Sequence, residues 1–453
     1  MRVSPSRSWD NTLDLMQFAP LFGSVAFTIV AFVVALSIIV AIHEYGHYIV
    51  GRWCGIHAEV YSLGFGPVLY SRTDKRGTEW QIAALPLGGY VRFLGDANAA
   101  SVGSDGEIPE VDARRTMMGA PLWARTATVL AGPVFNFILA IVIFTGTIMY
   151  EGRVLEPLSF GALHDLPDSH ATDLQSGDVF VSINGVSVDT DIPLVDAIPL
   201  EERLDYTVLR DGQQVTVEGP FLMPTAVASI VPRSAADDAG LRVDDVIVAV
   251  DGDPIFAFTQ LQQIVLEREG APLELLIWRD GTEQTVILEP RVTDEPQPDG
   301  TFQTFYRIGI SGQMFFDPLT ENISPVEAVE IGIDGLWRTL TTSISAIKHI
   351  VLGRISTCNL SGPVGIAETS SSMAQQGAQS FIWFLGGLSA AVGLINLFPV
   401  PVLDGGHLIF YAYEAVARRK PNARVLELFM MIGLALILSL MVFTILNDTV
   451  LCP

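Results

Sequence analysis

LFGSVAFTIVAFVVALSIIVAIHEYGHYIV, residues 21–50, decides how this chain is read. The run carries no charge until His43-Glu44-Tyr45-Gly46-His47 near its C-terminal end. It exceeds the roughly 20 apolar residues that a helix needs to cross a bilayer. An ionisable group costs several kcal/mol at bilayer depth, so a cluster of them there marks a functional site. H-E-x-x-H is also the helical zinc-hydrolase pattern. Residues i and i+4 of a helix share a face, so His43 and His47 can ligate one ion. Glu44 lies beside that face and suits a base better than a ligand. Neutral imidazoles match zinc, whose catalytic sites take three protein ligands and leave one position for water. The blander reading is a chance match, with two histidines hydrogen-bonding at headgroup level. The apolar setting of the motif weighs against it.

The expected third ligand is Asp404, in Asn396-Leu-Phe-Pro-Val-Pro-Val-Leu-Asp-Gly-Gly-His407. Pro399 and Pro401 cannot sit inside a regular helix, and irregular backbone at membrane depth survives only against protein or a water cavity. Gly405 and Gly406 allow close backbone approach. The alternative for Asp404 is a helix-capping aspartate at a water boundary. His407 is a weaker ligand candidate, read as a satisfied interfacial histidine.

The 453 residues have a mean hydropathy of +0.41 and 17% charged residues, against roughly 25% in soluble domains. Net charge is nevertheless -24, with the acids crowded between Glu151 and Glu330. That surface argues against nucleic acid as a partner, because nothing on it would displace counterions from phosphates. Cys54, Cys358 and Cys452 form no C-x-x-C pair, which excludes a thiolate zinc site and a disulfide-framed scaffold. A Cys358–Cys452 bridge on the outer side is open but is not the favoured reading.

Further runs of spanning length lie near residues 126–150, 381–402 and 425–446. Arg52, Arg72, Lys75, Arg76, Arg92, Arg114, Arg115 and Arg125 separate the first two. Arg418, Arg419, Lys420 and Arg424 follow the third. The positive-inside rule makes both loops cytoplasmic and sets the acidic block outside. Within that block, Leu174-Gln-Ser-Gly-Asp-Val-Phe-Val-Ser-Ile-Asn-Gly-Val186 matches Leu241-Arg-Val-Asp-Asp-Val-Ile-Val-Ala-Val-Asp-Gly-Asp253, a tandem repeat with strand and turn signals. A second hairpin follows in each copy, at Tyr206–Gly212 and Leu275–Gly281. Two copies of a small β-rich module are expected. Charges interrupt the apolar stretch 324–355, which suits a helix lying in the interface. Residues 54–94 read as a β-hairpin able to offer a strand edge.

These motifs resemble the site-2 protease family of intramembrane zinc metalloproteases, in its bacterial tandem-PDZ branch. His43-Glu44-x-x-His47, Gly132-Pro-Val-Phe-Asn136, Ser361-Gly-Pro363 and the Asn396–Gly406 motif fall in the family's order. The resemblance implies His43, His47 and Asp404 as zinc ligands and Glu44 as catalytic base. It also implies that Asn396, Pro399 and Pro401 hold unwound substrate. Gly132 and Asn136 are read as helix-packing residues near the site. Ala391 departs from a frequent family asparagine. The implied substrate is a single-span membrane protein such as an anti-sigma factor already trimmed outside, in an envelope stress response. The PDZ domains would bind peptide termini or exclude bulky ectodomains, and Tyr306–Gly312 is the better carboxylate-loop candidate.

The expected fold is a polytopic α-helical membrane protein with about four spans in the lipid bilayer, a membrane-associated β-hairpin and two periplasmic β-rich PDZ domains. Its parts are a periplasmic segment (1–20), a first span (21–50), a cytoplasmic-side hairpin and loop (51–125) and a second span (126–150). Then come the PDZ domains (151–222 and 223–315), interfacial helices and linker (316–378), a third span (379–410), a cytoplasmic loop (411–424), a fourth span (425–447) and a periplasmic tail (448–453). The competing classes are a membrane-anchored PDZ scaffold with a dead metal site and a metal transporter. Against the transporter, only the first and third spans offer ligands at depth.

Overall fold

The computed structural model describes residues 15–95, 113–187, 194–297, 301–420 and 422–451. Most of the expected N-terminal segment, and Cys452, lie outside these residues. The first helix, Leu15–Trp53 (α1), leads into two long strands, Ala58–Thr73 (β1) and Glu79–Phe93 (β2), and then Leu122–Glu151 (α2). The strands form more than a simple hairpin. Val60 pairs with both Arg92 and Glu79, so residues 58–63 lie between residues 89–93 and 79–82. Residues 68–73 then pair outside 79–83. Gly64 and Gly66 carry the bend at φ +92° and +84°, which L side chains rarely adopt. Tyr61 hydroxyl donates to the Ala41 carbonyl (2.6 Å) and ties the folded sheet to α1.

The first β-module comprises Arg153–Val154 (β3), Phe160–Leu163 (β4), Val179–Ile183 (β5), Val186–Ser187 (β6), Leu194–Ala197 (α3), Arg203–Arg210 (β7) and Gln213–Pro220 (β8). The second comprises Val227–Ile230 (β9), Ala235–Asp238 (α4), Val246–Val250 (β10), Asp253–Pro254 (β11), Phe258–Glu267 (α5), Leu273–Arg279 (β12) and Thr282–Leu288 (β13). Their sheets share one topology, β6-β5-β7-β8 and β11-β10-β12-β13. The sequence repeat is therefore a structural one. Each copy buries an equivalent fork: Arg210 on Asp178 (2.6 and 2.7 Å) and Arg279 on Asp245 (both 2.6 Å).

After the hairpin Arg291–Pro296 (β14) and Phe302–Arg307 (β15), the chain runs back across both modules. Ile310–Gly312 (β16) pairs with β9, Phe316–Pro318 (β17) with β4, and Thr320–Glu321 (β18) with β3. The first module is thus completed from beyond residue 222, the expected end of the first domain.

The chain then forms Pro325–Val351 (α6), Pro363–Gln375 (α7), Ala378–Asn396 (α8), Asp404–Ala417 (α9) and Ala423–Leu446 (α10). Among the described residues, four helices are long and apolar enough to cross a membrane: Val25–Trp53, Leu122–Glu151, Ala378–Asn396 and Arg424–Leu451. The third stops at Asn396, short of the expected 410, because the two prolines supply no N–H and residues 397–403 leave the helix. A separate helix, α9, occupies part of the expected 411–424 loop. Arg125 at the start of α2 holds Glu414 of α9 in a fork (2.7 and 2.9 Å), with only 6% and 16% of their side chains exposed. That buried pair fixes the helix carrying Asp404 against α2.

α6 packs on Phe144 of α2 through Leu336, while its two ends meet the β-rich block. Near its start Glu327 pairs with Arg153, and near its end the His349 ring packs at a tilt against Phe302. The second module docks on the helices through Arg233, which reaches Glu368 of α7 (3.1 Å) and buried Asp448 (3.4 Å). Asp448 also accepts the Gly362 and Gly365 N–H groups at the start of α7. The expected tail is therefore structural up to its helical turn Asn447–Leu451. Cys358 is disulfide-bonded, against the favoured reading, and Cys54 is free.

Arg210 holds the Asp178 carboxyl below the usual carboxylate range. A depressed folded value contributes stability above the unfolded pKa of about 3.9, lost as pH falls through the lower folded value. Asp178→Asn is expected to destabilise the first module by about 2–3 kcal/mol at neutral pH. The deficit should shrink in strong acid, as checked by melting over a pH series.

Candidate metal centre

The packing of α1 on α2 sets the site's depth. Gly46 abuts the Ala131 carbonyl, where a Cβ would come to 2.5 Å, so the two backbones nearly touch. The next residue of α2, Gly132, faces both imidazoles, and a Cβ there would lie 2.4 Å from His47 Nε2 and 2.7 Å from His43 Cε1. The third element arrives through the unwound segment. Its carbonyls fold back over the start of α9, leaving no room for a Cβ at Gly405 (2.3 Å from the Leu397 and Phe398 oxygens) or Gly406 (2.3 Å from that of Val400). Asp404 is thereby presented at the first turn of α9.

Three ligand atoms converge. His43 Nε2 lies 3.2 Å from Asp404 Oδ2 and 3.2 Å from His47 Nε2, and His47 Nε2 lies 3.5 Å from Asp404 Oδ1. Tetrahedral zinc with bonds of about 2.0–2.1 Å places its ligands roughly 3.3 Å apart, so the spacing fits. Asp404 Oδ2 is buried without a hydrogen bond of good geometry, the condition a cation would relieve. Among the described residues this is the one group of three or more such side chains that could hold a metal. His407 is not part of it, in keeping with its weaker candidacy.

The remaining ring atoms are also held. His47 Nδ1 is 2.8 Å from the Thr128 carbonyl, and His43 Nδ1 is 3.2 Å from Asn136 Nδ2. Such outer partners fix ring orientation and ligand basicity. Glu44 Cγ lies 3.3 Å from where a Cβ on Gly89 would be. The edge of β2 therefore passes directly beside the carboxylate. Asn396 is half-buried as the last residue of α8, with Pro399 exposed and Pro401 half-buried beyond it. Asn136, read from sequence as a packing residue, touches a candidate ligand and is fully buried; an asparagine within an apolar span was the available signal. The Thr128 carbonyl leaves no sequence signature, being a backbone group.

The model of peptidase family M50 matches residues 31–440, most of the chain and every element of this centre. The chain belongs to peptidase family M50. It is similar along nearly its whole length to proteins named as zinc metalloproteases in Agrobacterium fabrum (35% identity; 93% of this chain, 95% of the relative) and Rhizobium meliloti (34%; 94% and 98%). It is also 31% identical to the regulator of sigma-E protease RseP of Escherichia coli, over 92% of this chain and 97% of that one. This M50 protein is a zinc metalloprotease with apolar helices of spanning length and a β-rich remainder. That agrees with the site-2 protease resemblance and does not favour an inactive scaffold.

Proposed function

We propose that this M50 protease is an intramembrane endopeptidase of the bacterial inner membrane. It cuts the spanning segment of single-span membrane proteins, with zinc held by His43, His47 and Asp404. The observation that carries the reading is the convergence of these three ligand atoms within 4.8 Å, on helices apolar enough to lie in lipid. Zinc supplies a Lewis acid that polarises the scissile carbonyl and acidifies water. Glu44 takes the proton of the attacking water on its carboxylate and delivers it to the leaving nitrogen.

A spanning helix hides its peptide bonds, so a segment must unwind before it is cut. We assign the edge of β2 beside Glu44 as the strand to which unwound substrate adds. Asn396, Pro399 and Pro401, at the break between α8 and α9, would hold freed backbone groups, each costly when left unpaired in lipid. Apolar Val68, Leu69 and Tyr70, exposed on the folded sheet, suit contact with lipid.

The two modules are read as periplasmic PDZ domains, and the active centre as lying toward the cytoplasm. The arginines near the folded sheet support that orientation, as does the pairing of Cys358 on the module side while Cys54 stays free. A groove of about 1130 Å³ between α5, β16 and residues 356–369 would accept a peptide terminus at the second module. The layer as a whole would exclude bulky ectodomains. By analogy with the Escherichia coli relative, an anti-sigma factor trimmed outside is the proposed substrate.

The test uses purified full-length protein in detergent with a single-span model substrate. A zinc chelator should abolish cleavage, zinc should restore it, and the cut should map inside the span. Cleavage confined to residues outside the span would overturn the reading.

A further inference from the structure

We propose that Asn136 is a positioning residue that commits His43 to binding zinc through Nε2, by turning its carboxamide oxygen toward the ring's Nδ1–H. The inference rests on the reading of His43 and Asp404 as ligands and goes beyond it to what prepares the ring.

The two histidines are supported differently. His47 Nδ1 faces the Thr128 carbonyl at 2.8 Å. A carbonyl can only accept, so His47 keeps its N–H at Nδ1 and presents a lone pair at Nε2. His43 Nδ1 faces a carboxamide instead, 3.2 Å from Asn136 Nδ2. In that orientation the amide donates, which suits a ring carrying its proton on Nε2, the nitrogen that points at Asp404 and His47. A ring that gives Nε2 to a cation must carry its one N–H at Nδ1 and needs an acceptor there.

Asn136 holds that acceptor in reserve. Its Oδ1 is buried with no hydrogen-bond partner, and the residue is 0% exposed. A half-turn about χ2 exchanges Oδ1 and Nδ2 without moving the backbone. The backbone is itself pinned, since the Asn136 carbonyl accepts from Ser389 Oγ of α8 at 2.9 Å. One side chain thus serves either tautomer of His43.

Zinc affinity by chelator competition tests this on the purified full chain. Asn136→Leu keeps the bulk and removes the acceptor; it should lose about 10–100-fold in affinity. Asn136→Asp offers a permanent acceptor, and zinc compensates its charge; it should hold zinc within about threefold of the native protein and shift the visible bands of the cobalt-substituted form, through a more basic ligand. A packing role gives the reverse order, with the leucine variant near native and the buried carboxylate worst. Native affinity in Asn136→Leu, or weaker binding by Asn136→Asp than by Asn136→Leu, overturns the proposal. If Asn136→Leu does not fold, Asn136→Ala is read in its place by the same criteria. Asp404→Ala, measured alongside, separates the two levels. Zinc retained in that variant sinks the ligand assignment itself, whereas zinc lost there but kept by Asn136→Leu sinks only the role of Asn136.

Discussion

Glu44→Gln is expected to reduce intramembrane cleavage by about 10²–10⁴-fold, the usual contribution of a positioned general base, while zinc content stays native. The carboxamide has nearly the shape of the carboxylate. What it cannot do is accept the water proton. The three ligand atoms, on His43, His47 and Asp404, are untouched by the change. Metal analysis and cleavage must therefore be measured on the same preparation. Cleavage equal to native would remove Glu44 from the mechanism, and loss of zinc would make it a ligand instead of a base.

Gly132→Ala should be as damaging by another route. The added methyl would lie 2.4 Å from His47 Nε2, 2.5 Å from His47 Cε1 and 2.7 Å from His43 Cε1. Neither ring can retreat freely, because His47 Nδ1 is held by Thr128 and His43 Nδ1 by Asn136. The rings must leave their places or α2 must move away from α1. Either way the expected result is a fall of at least about 100-fold in zinc affinity, with cleavage lost in parallel. Gly146→Ala on the same helix is the control, since a Cβ there meets nothing within 4 Å. It should leave zinc and cleavage unchanged. Native zinc binding by Gly132→Ala would show that the rings have more room than the geometry allows.

What could be read from the sequence follows the range over which each signal acts. The apolar helices, the H-E-x-x-H face and the tandem repeat are local patterns, and the structure has four helices of spanning length, the two imidazoles on one face and two sheets of one topology, though the third apolar helix ends at Asn396. Asp404 could be singled out because prolines and glycines mark its surroundings chemically. The pairing of Arg125 with Glu414 could not, since each is an ordinary charge 289 residues from the other. The folding of β1 and β2 back on themselves was hidden because a strand's alternation does not reveal two partners. Strands of two or three residues, such as β16, β17 and β18, are too short for any periodic pattern. Asn136 shows the converse limit. Its residue type in an apolar span hinted at a task, but its 3.2 Å approach to His43 is visible only in the structure.

The returning run of residues 310–321 has a practical bearing on genetic dissection. A surgeon of this chain who excised 151–222 as a cassette would strand Phe316–Pro318 with nothing to zip onto. Cutting out 223–315 would sever the tether that delivers the same strand. Phenotypes of such deletions would mix the missing lobe with a wounded survivor. Clean dissection calls for point changes within one lobe, or for a graft that brings its own closing strand.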